Sequence, residues 1–184
     1  MDASVVAMVL IGATALAALI VGASRWTSGR QADQGAMVRE SDAAFQQVAR
    51  ELGLTFAPGR VMHHPVAGDI AAFGTARGAH RGFHVALRVV SDADAEPPVV
   101  FRTELTLDVP PGATFTQAPV GPLAQRARRL VVEPQLITFE PQSPSRASSM
   151  SYEFLLVTDS AALRSLVDAL CDLGEHVVLR RGAR

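Results

Sequence analysis

The sequence predicts an α+β fold: an N-terminal transmembrane helix followed by one domain with an antiparallel β-meander and two packed helices. Three observations support this class. The chain opens with a long uncharged apolar run, its middle alternates apolar and polar residues with a strand period, and amphipathic segments with helical spacing stand near both ends of the remainder. Strands that follow one another directly in the sequence pair antiparallel, and in α+β folds the helices lie together on one face or at one end of such a sheet. We therefore expect the two helices to pack on one sheet face.

The apolar run extends from Ala3 to Ala23 without a charge, and Arg25 and Trp26 follow it. A helix of about 20 apolar residues crosses a hydrocarbon core of about 30 Å. A cleaved signal peptide is the alternative, because the run ends in small residues. Signal peptides, however, begin with positive charge and have a shorter apolar region. We therefore predict an uncleaved membrane anchor.

The flanks of the run predict its orientation. Arg25, Arg30 and Arg39 follow the run, whereas Asp2 alone precedes it. Positive residues concentrate on the cytoplasmic side of a span, so we expect a single-pass protein of a bacterial inner membrane, with its N-terminus outside and its domain in the cytoplasm. Small residues recur four apart along the span, which makes it a candidate for helix pairing in the membrane.

Composition bounds the rest of the chain. We expect an anchor over 1–24, a juxtamembrane tether over 25–37 and a single domain over 38–184, the usual size of one domain. The formal net charge of −1 gives no nucleic-acid footprint. All 17 positive side chains are arginine, which is typical of a GC-rich bacterial genome. Cys171 is the only cysteine, so no disulfide forms within the chain.

The first helix of the domain is predicted over Arg39 to Leu52. Ala44, Phe45 and Val48 share one face of it at helical spacing. Gly53 stands where a C-terminal cap belongs. A short extended segment, Leu54 to Phe56, should then lead to a turn at Pro58-Gly59.

Three strands of the meander come next. They are predicted over Asp69 to Ala76, Phe83 to Val90 and Val99 to Val109, because apolar and polar residues alternate along them. A six-residue hairpin loop, Arg77 to Gly82, should join the first two strands. The acidic, proline-rich stretch Asp92 to Pro98 should end the second.

The remaining elements carry weaker signals. Short strands are predicted over Thr114 to Ala118, Arg129 to Val132 and Gln135 to Phe139, a proline- and serine-rich loop over Pro141 to Ser149, and a strand over Tyr152 to Thr158.

The second helix should run from Ala161 to Leu173. Asp159 or Ser160 would be its N-cap, and Gly174 would mark its end. A last strand, His176 to Leu179, and a basic tail complete the prediction.

This succession of helix, Leu-Gly-Leu at 52–54, the turn Pro58-Gly59, a hairpin with glycines at 74, 78 and 82, and a late amphipathic helix resembles uncharacterised bacterial membrane-anchored α+β domain proteins of unknown function. The resemblance implies a similar fold and anchoring. It implies no activity and no site residues.

Residues that could carry catalysis are sparse. A phosphate-binding loop requires a strand before its glycines, a helix after them and usually a lysine. Here a strand follows Gly74, Gly78 and Gly82 and the chain has no lysine, so we interpret them as turn glycines. His63, His64 and Asp69 are the one group that could hold a metal, if the chain between them folds back. Their spacing matches no structural zinc site. Cys171 lies near the apolar stripe of the last helix and is interpreted as a buried structural thiol.

Two groups of basic residues are candidates for binding. Arg126, Arg128 and Arg129 form one, and Arg180 and Arg181 the other. Either could contact anionic lipid headgroups, at about 1 kcal/mol per arginine near the surface, or an acidic patch on a partner.

The sequence therefore predicts a single-pass membrane-anchored protein with a non-catalytic cytoplasmic domain that binds an unknown protein partner or belongs to a membrane complex. No cofactor is expected. Two alternatives stay open: a membrane-tethered metal-dependent hydrolase that uses His63, His64 and Asp69, and an exported envelope domain that binds a small ligand.

Overall fold

The computed structural model describes residues 34–64, 68–91, 99–110, 121–133, 135–142, 145–148 and 152–179. The chain divides into two compact units, Met1–Ala36 and Met37–Arg184, and almost everything described belongs to the second. Within the described residues, no helix combines the length and apolar character needed to cross a membrane. The predicted span, 3–23, lies outside them, as does the predicted strand Thr114 to Ala118.

The second unit is an α+β domain, as the sequence predicts. The described helices are α1 over 34–52, which belongs to this unit from Met37 onward, α2 over Gly121–Arg126 and α3 over Ser160–Leu179. Its described strands are β1 (Thr55–Ala57), β2 (Arg60–His64), β3 (Gly68–Ala72), β4 (Thr75–His80), β5 (Phe83–Ser91), β6 (Val99–Asp108), β7 (Ala127–Glu133), β8 (Leu136–Pro141), β9 (Ser145–Ser148) and β10 (Tyr152–Leu156).

Eight of these strands form one sheet in the order β1-β4-β5-β6-β10-β9, with β8 and β7 joined to the far end of β6. The antiparallel meander is confirmed as β4, β5 and β6. One pairing outside the meander is parallel: β10 lies parallel to β6 along Val99–Arg102. The other half of β6, Leu105–Asp108, pairs antiparallel with β8. One long strand thus serves two separate neighbours on the same side.

The hydrophobic core lies between one face of this sheet and the two longer helices. Strand β5 alternates as predicted, with Phe83, Val85 and Leu87 buried and Arg88 exposed. Both helices contribute buried residues to the same core, so their packing on one sheet face is confirmed. The fully buried large side chains include Phe45, Val48, Leu105, Leu107, Ile137, Phe139, Leu163 and Leu170.

The helix α1 ends as the sequence predicts but begins earlier. Gly53 has a φ of +71°, and the Leu54 amide donates to the Ala49 carbonyl at 2.8 Å. This is the hydrogen bond of a Schellman cap, for which a left-handed glycine is the favoured residue. At the other end, residues 34–37 of the predicted tether are already helical.

The predicted end of the last helix at Leu173 and the strand His176 to Leu179 are wrong, because α3 continues to Leu179. A Cβ at Gly174 would lie 2.8 Å from Leu107 Cδ2 and 2.9 Å from Phe83 Cζ. This glycine therefore permits close approach of the helix to the sheet rather than ending the helix. The N-cap is Asp159, whose carboxylate accepts from the Ala161 amide at 3.0 Å.

Two predicted loops are largely strand. The hairpin between β4 and β5 turns on only Arg81 and Gly82, whose φ angles are +51° and +83°. Positive φ at both positions is typical of a two-residue type I′ turn, whose twist matches the strands. The predicted loop Pro141 to Ser149 begins with the last residue of β8 and contains β9, which pairs with β10.

Candidate interaction site

The predicted single strand Asp69 to Ala76 is two strands, β3 and β4, and the break between them defines an arm. Ala57 pairs with Thr75 where β1 meets β4, and Arg60 pairs with Ala72 where β2 meets β3. Both ladders keep one register, so they are two halves of one long hairpin interrupted by two residues on each side. We call the distal half, β2 and β3, the arm. It forms its own two-stranded sheet.

The side chain of Asp42, on α1, holds the interruption together. The amide of Gly59 donates to Asp42 Oδ2 at 2.6 Å, and the amide of Gly74 donates to Asp42 Oδ1 at 2.9 Å. One carboxylate thus satisfies a backbone donor on each side of the break. Hydrogen bonds to a charged acceptor are stronger than bonds between neutral groups. Asp42 is itself positioned by a helix whose neighbouring residues are buried in the core.

At its two glycines, the break leaves no room for a side chain. A Cβ at Gly59 would lie 2.5 Å from the Ala72 carbonyl oxygen, and a Cβ at Gly74 would lie 2.5 Å from Asp42 Oδ1 and 2.8 Å from the Ala57 carbonyl oxygen. The residue before Gly59 is Pro58, which has no amide to donate. The chain at the base of the arm is therefore shaped to admit the Asp42 carboxylate.

An aromatic contact fixes the same base to the sheet. The ring of Phe73 lies 5.5 Å from that of Phe101 on β6 and 6.3 Å from that of Phe154 on β10, and the last two stack at 5.2 Å. Each such pair contributes about 0.5–1.5 kcal/mol beyond the burial of its area. The base of the arm is thus held by two hydrogen bonds to the Asp42 carboxylate and by the ring contacts of Phe73.

Beyond this base the arm exposes apolar side chains. Val61 is 42% exposed and Met62 is 40% exposed, and they are the exposed large hydrophobic residues among the side chains that the structure describes. Consecutive residues of a strand point to opposite faces. Both faces of the arm therefore present apolar surface to solvent.

The histidine group proposed from the sequence falls on the arm. The register places His63 opposite Asp69 and His64 opposite Gly68, so the backbone brings one histidine and the aspartate to the same position along the ladder. Among the residues covered by the structural description, no group of three or more histidine, cysteine, aspartate or glutamate residues could hold a metal ion.

A second surface feature is a groove of about 580 Å³ along α3, lined by Glu51, Arg164, Asp168 and Asp172 among others. Its charges are paired. Arg164 Nη1 lies 3.4 Å from Glu51 Oε2. His80 Nε2 lies 3.1 Å from Asp168 Oδ1. This groove is a network of ion pairs that joins α3 to α1 and to the sheet.

The β4–β5 turn extends that network. Arg81 lies 2.8 Å from Asp172 and 2.8 Å from Glu175, and the hydrogen bond with Asp172 raises the pKa of Arg81 above its ordinary value. Beneath these charges Cys171 is fully buried. Burial raises the pKa of its thiol to about 11. A thiol that stays protonated at neutral pH is a poor nucleophile.

The structure does not gather the predicted arginines into one patch. Arg126 ends α2 and donates to Ser165 Oγ of α3 at 3.4 Å. Arg129 pairs with Glu140 at 3.6 Å, on the sheet face opposite the core, because Glu140 alternates with the buried Phe139. Arg128 is exposed and lies at the irregularity of β7 between Ala127 and Arg129. Arg180 and Arg181 lie outside the described residues.

A charged row crosses the sheet face opposite the core. Arg88 on β5 pairs with Glu104 on β6 at 2.6 Å, and Arg129 on β7 pairs with Glu140 on β8. The register that pairs Leu105 with Phe139 places the two glutamates side by side. Their side chains are only 10% and 6% exposed. Burying a carboxylate without a counterion is costly. Arg88 and Arg129 supply the counterions for the two glutamates, so we interpret the row as part of what stabilises the sheet.

Comparisons of the chain with protein families, with curated proteins and with solved structures find no match. The resemblance to bacterial membrane-anchored domains stays a prediction. Sequence reasoning located His63 and Asp69 but missed Asp42, Phe73 and the exposed pair on β2. The one signal for the arm was the pair of glycines, Gly59 and Gly74, that flank the future hairpin at nearly equal distances from its tip.

Proposed function

We propose that this chain is a single-pass membrane protein whose α+β domain is a non-catalytic interaction module, with the arm as its contact surface. The observation that carries the proposal is the combination of exposed Val61 and Met62 with the rigid base that Asp42 and Phe73 give the arm. Single exposed apolar residues are common on protein surfaces. Here two neighbouring apolar residues face opposite sides of a two-stranded ribbon whose base is held by Asp42 and Phe73, and a surface held in place before binding loses less conformational entropy on association.

The membrane part of the proposal rests on the uncharged run Ala3 to Ala23 and on the arginines that follow it. Alkaline carbonate extraction tests anchoring, because an integral segment stays with the membrane pellet. A fluorescent protein active only in the cytoplasm, or a phosphatase active only outside it, fused after Arg184, tests orientation. We expect pelleted, fluorescent protein without phosphatase activity. Phosphatase activity would instead favour the exported ligand-binding domain.

The interaction part is tested by a photo-crosslinking amino acid at Met62 of the full chain in cells. A matched control carries it at Gln46, an exposed position on α1. We expect a discrete crosslinked species from Met62 and none from Gln46, and we expect its loss when Asp42→Ala releases the base of the arm. Equal crosslinking from both positions would contradict the arm as a contact surface.

The hydrolase alternative keeps one observation in its favour, the register that puts His63 opposite Asp69. Metal analysis of the purified full chain, and of a His63→Ala variant, tests it. Stoichiometric zinc or manganese that is lost in the variant would favour this alternative over the interaction module.

A further inference from the structure

The arm has an edge that can accept another strand. In the described part of the chain, β2 and β3 pair only with each other, so each of these five-residue strands uses one of its two edges. A two-stranded ribbon is marginally stable alone. Unpaired backbone donors and acceptors along a strand edge are a template for a further strand.

The two exposed apolar residues favour addition at the edge of β2 over packing on one face. A protein that rests on one face of the ribbon would cover Val61 or Met62 and leave the other in water. A strand added beside β2 supplies neighbours on both faces at once, because its own side chains also alternate.

The arm does not fit insertion into lipid. Its register orders the residues from base to tip, and His63, His64 and Asp69 all lie nearer the tip than Met62 does. To reach an apolar phase, Val61 and Met62 would have to carry a carboxylate and two imidazoles in first, and an aspartate at bilayer depth is strongly unfavourable. The edge of β2, unpaired among the described residues, and the apolar residues on its opposite faces therefore favour a polypeptide strand over a lipid surface as the occupant.

We propose that this polypeptide is the β2 strand of a second copy of the chain, paired antiparallel about a two-fold axis at Met62. That pairing sets Met62 opposite its symmetry mate, Arg60 opposite His64 of the second copy, and Val61 opposite His63. With Ile70 at the register position beside Met62, four apolar positions stand in one row across the four strands. No two carboxylates and no two arginines face each other.

The pairing of two five-residue strands buries little surface area, which limits the conditions under which it forms. Contacts that bury less than about 1,000 Å² are weak and transient in solution. The inference rests on the proposed function at this point, because anchoring in one membrane confines the copies and raises their effective concentration. A five-residue strand pairing can then be populated without a large interface.

The test is cysteine crosslinking of the full chain in bilayers. Residues directly opposite each other in an antiparallel pair have Cα atoms about 4.5–5.5 Å apart, within the range that a disulfide spans. Under a mild oxidant, Met62→Cys should form a covalent dimer at least several-fold faster than Gln46→Cys, and buried Cys171 should contribute none. A mixture of Arg60→Cys and His64→Cys chains should crosslink faster than either alone. Equal rates for Met62→Cys and Gln46→Cys would overturn the proposal.

A charge test gives an independent outcome. Met62→Glu sets two carboxylates opposite each other at the axis and should weaken association in bilayers, measured by energy transfer between labelled copies, by about tenfold. Val61→Glu sets a carboxylate opposite a histidine and should weaken it less; equal effects would exclude the register. If the chain is not anchored, carbonate releases it, and the proposed function fails. The pairing is then decided by crosslinking the purified Met62→Cys and Gln46→Cys chains at protein concentrations high enough to replace confinement in a membrane: faster crosslinking of Met62→Cys supports it, and equal rates overturn it.

Discussion

Replacing Asp42 should free the arm while leaving the core folded. Asp42→Ala removes the two hydrogen bonds from Gly59 and Gly74, at 2.6 and 2.9 Å. Bonds to a charged acceptor contribute about 1.5–3 kcal/mol each. At this partly buried site the lower value applies, so the two together contribute about 3 kcal/mol. Asp42→Asn keeps one acceptor oxygen and should cost about half as much.

Hydrogen exchange of the full chain, followed by mass spectrometry, measures this effect locally. About 3 kcal/mol corresponds to roughly a hundredfold faster exchange in peptides that contain Gly59 and Gly74, and Asp42→Asn should give roughly tenfold. Peptides from α3 should exchange as in the wild type, because the arm lies outside the main sheet. An Asp42→Ala arm that exchanges within twofold of the wild type would refute the clamp. Equal acceleration in α3 would show that Asp42 acts on the whole domain.

Three further substitutions test the core and the charged row. Gly174→Ala should lower the free energy of unfolding by about 1–2 kcal/mol in denaturant titration, although alanine favours helices, because its Cβ overpacks the core. Arg88→Ala should lower it by about 1–2 kcal/mol, and Arg129→Ala by less, because the Arg88 ion pair is 2.6 Å and the Arg129 pair 3.6 Å long. The Cys171 thiol should resist labelling at pH 8 until the chain unfolds. Because its pKa is raised from 9.0 to about 11, the unfolded thiol ionises first, and stability relative to Cys171→Ala should fall as pH rises through this window.

The elements that the sequence predicted correctly are those with one buried face. Along β5, Val85 and Leu87 alternate with exposed residues because one face of the strand is buried. On α3, the stripe that includes Leu166 and Leu170 arises in the same way at helical spacing. Such patterns depend on which side of an element faces the core. They can be identified in the sequence without knowing which residues pack against that side.

The features that the sequence did not reveal depend on partners distant in the chain. Gly174 resembled a helix end because glycine is typical of one, yet its role is set by Leu107 and Phe83 on the sheet. The parallel pairing of β10 with β6 joins Phe154 to Phe101, and no local pattern distinguishes it from antiparallel pairing. Asp42 lies 17 residues from one of its partners and 32 from the other.

The arm, proposed above as an interaction surface, is a further feature that sequence pattern does not predict. Two of its apolar residues, Val61 and Met62, are adjacent instead of alternate, so β2 shows no clear alternation in the sequence. At its base the arm is held by the Asp42 carboxylate and the Phe73 ring. The base holds the arm in one position, and within the described residues the outer edge of β2 is unpaired, so addition of the proposed partner strand requires no change in the core. The proposed pairing uses this same feature, a strand that has a neighbour on one edge only among the described residues.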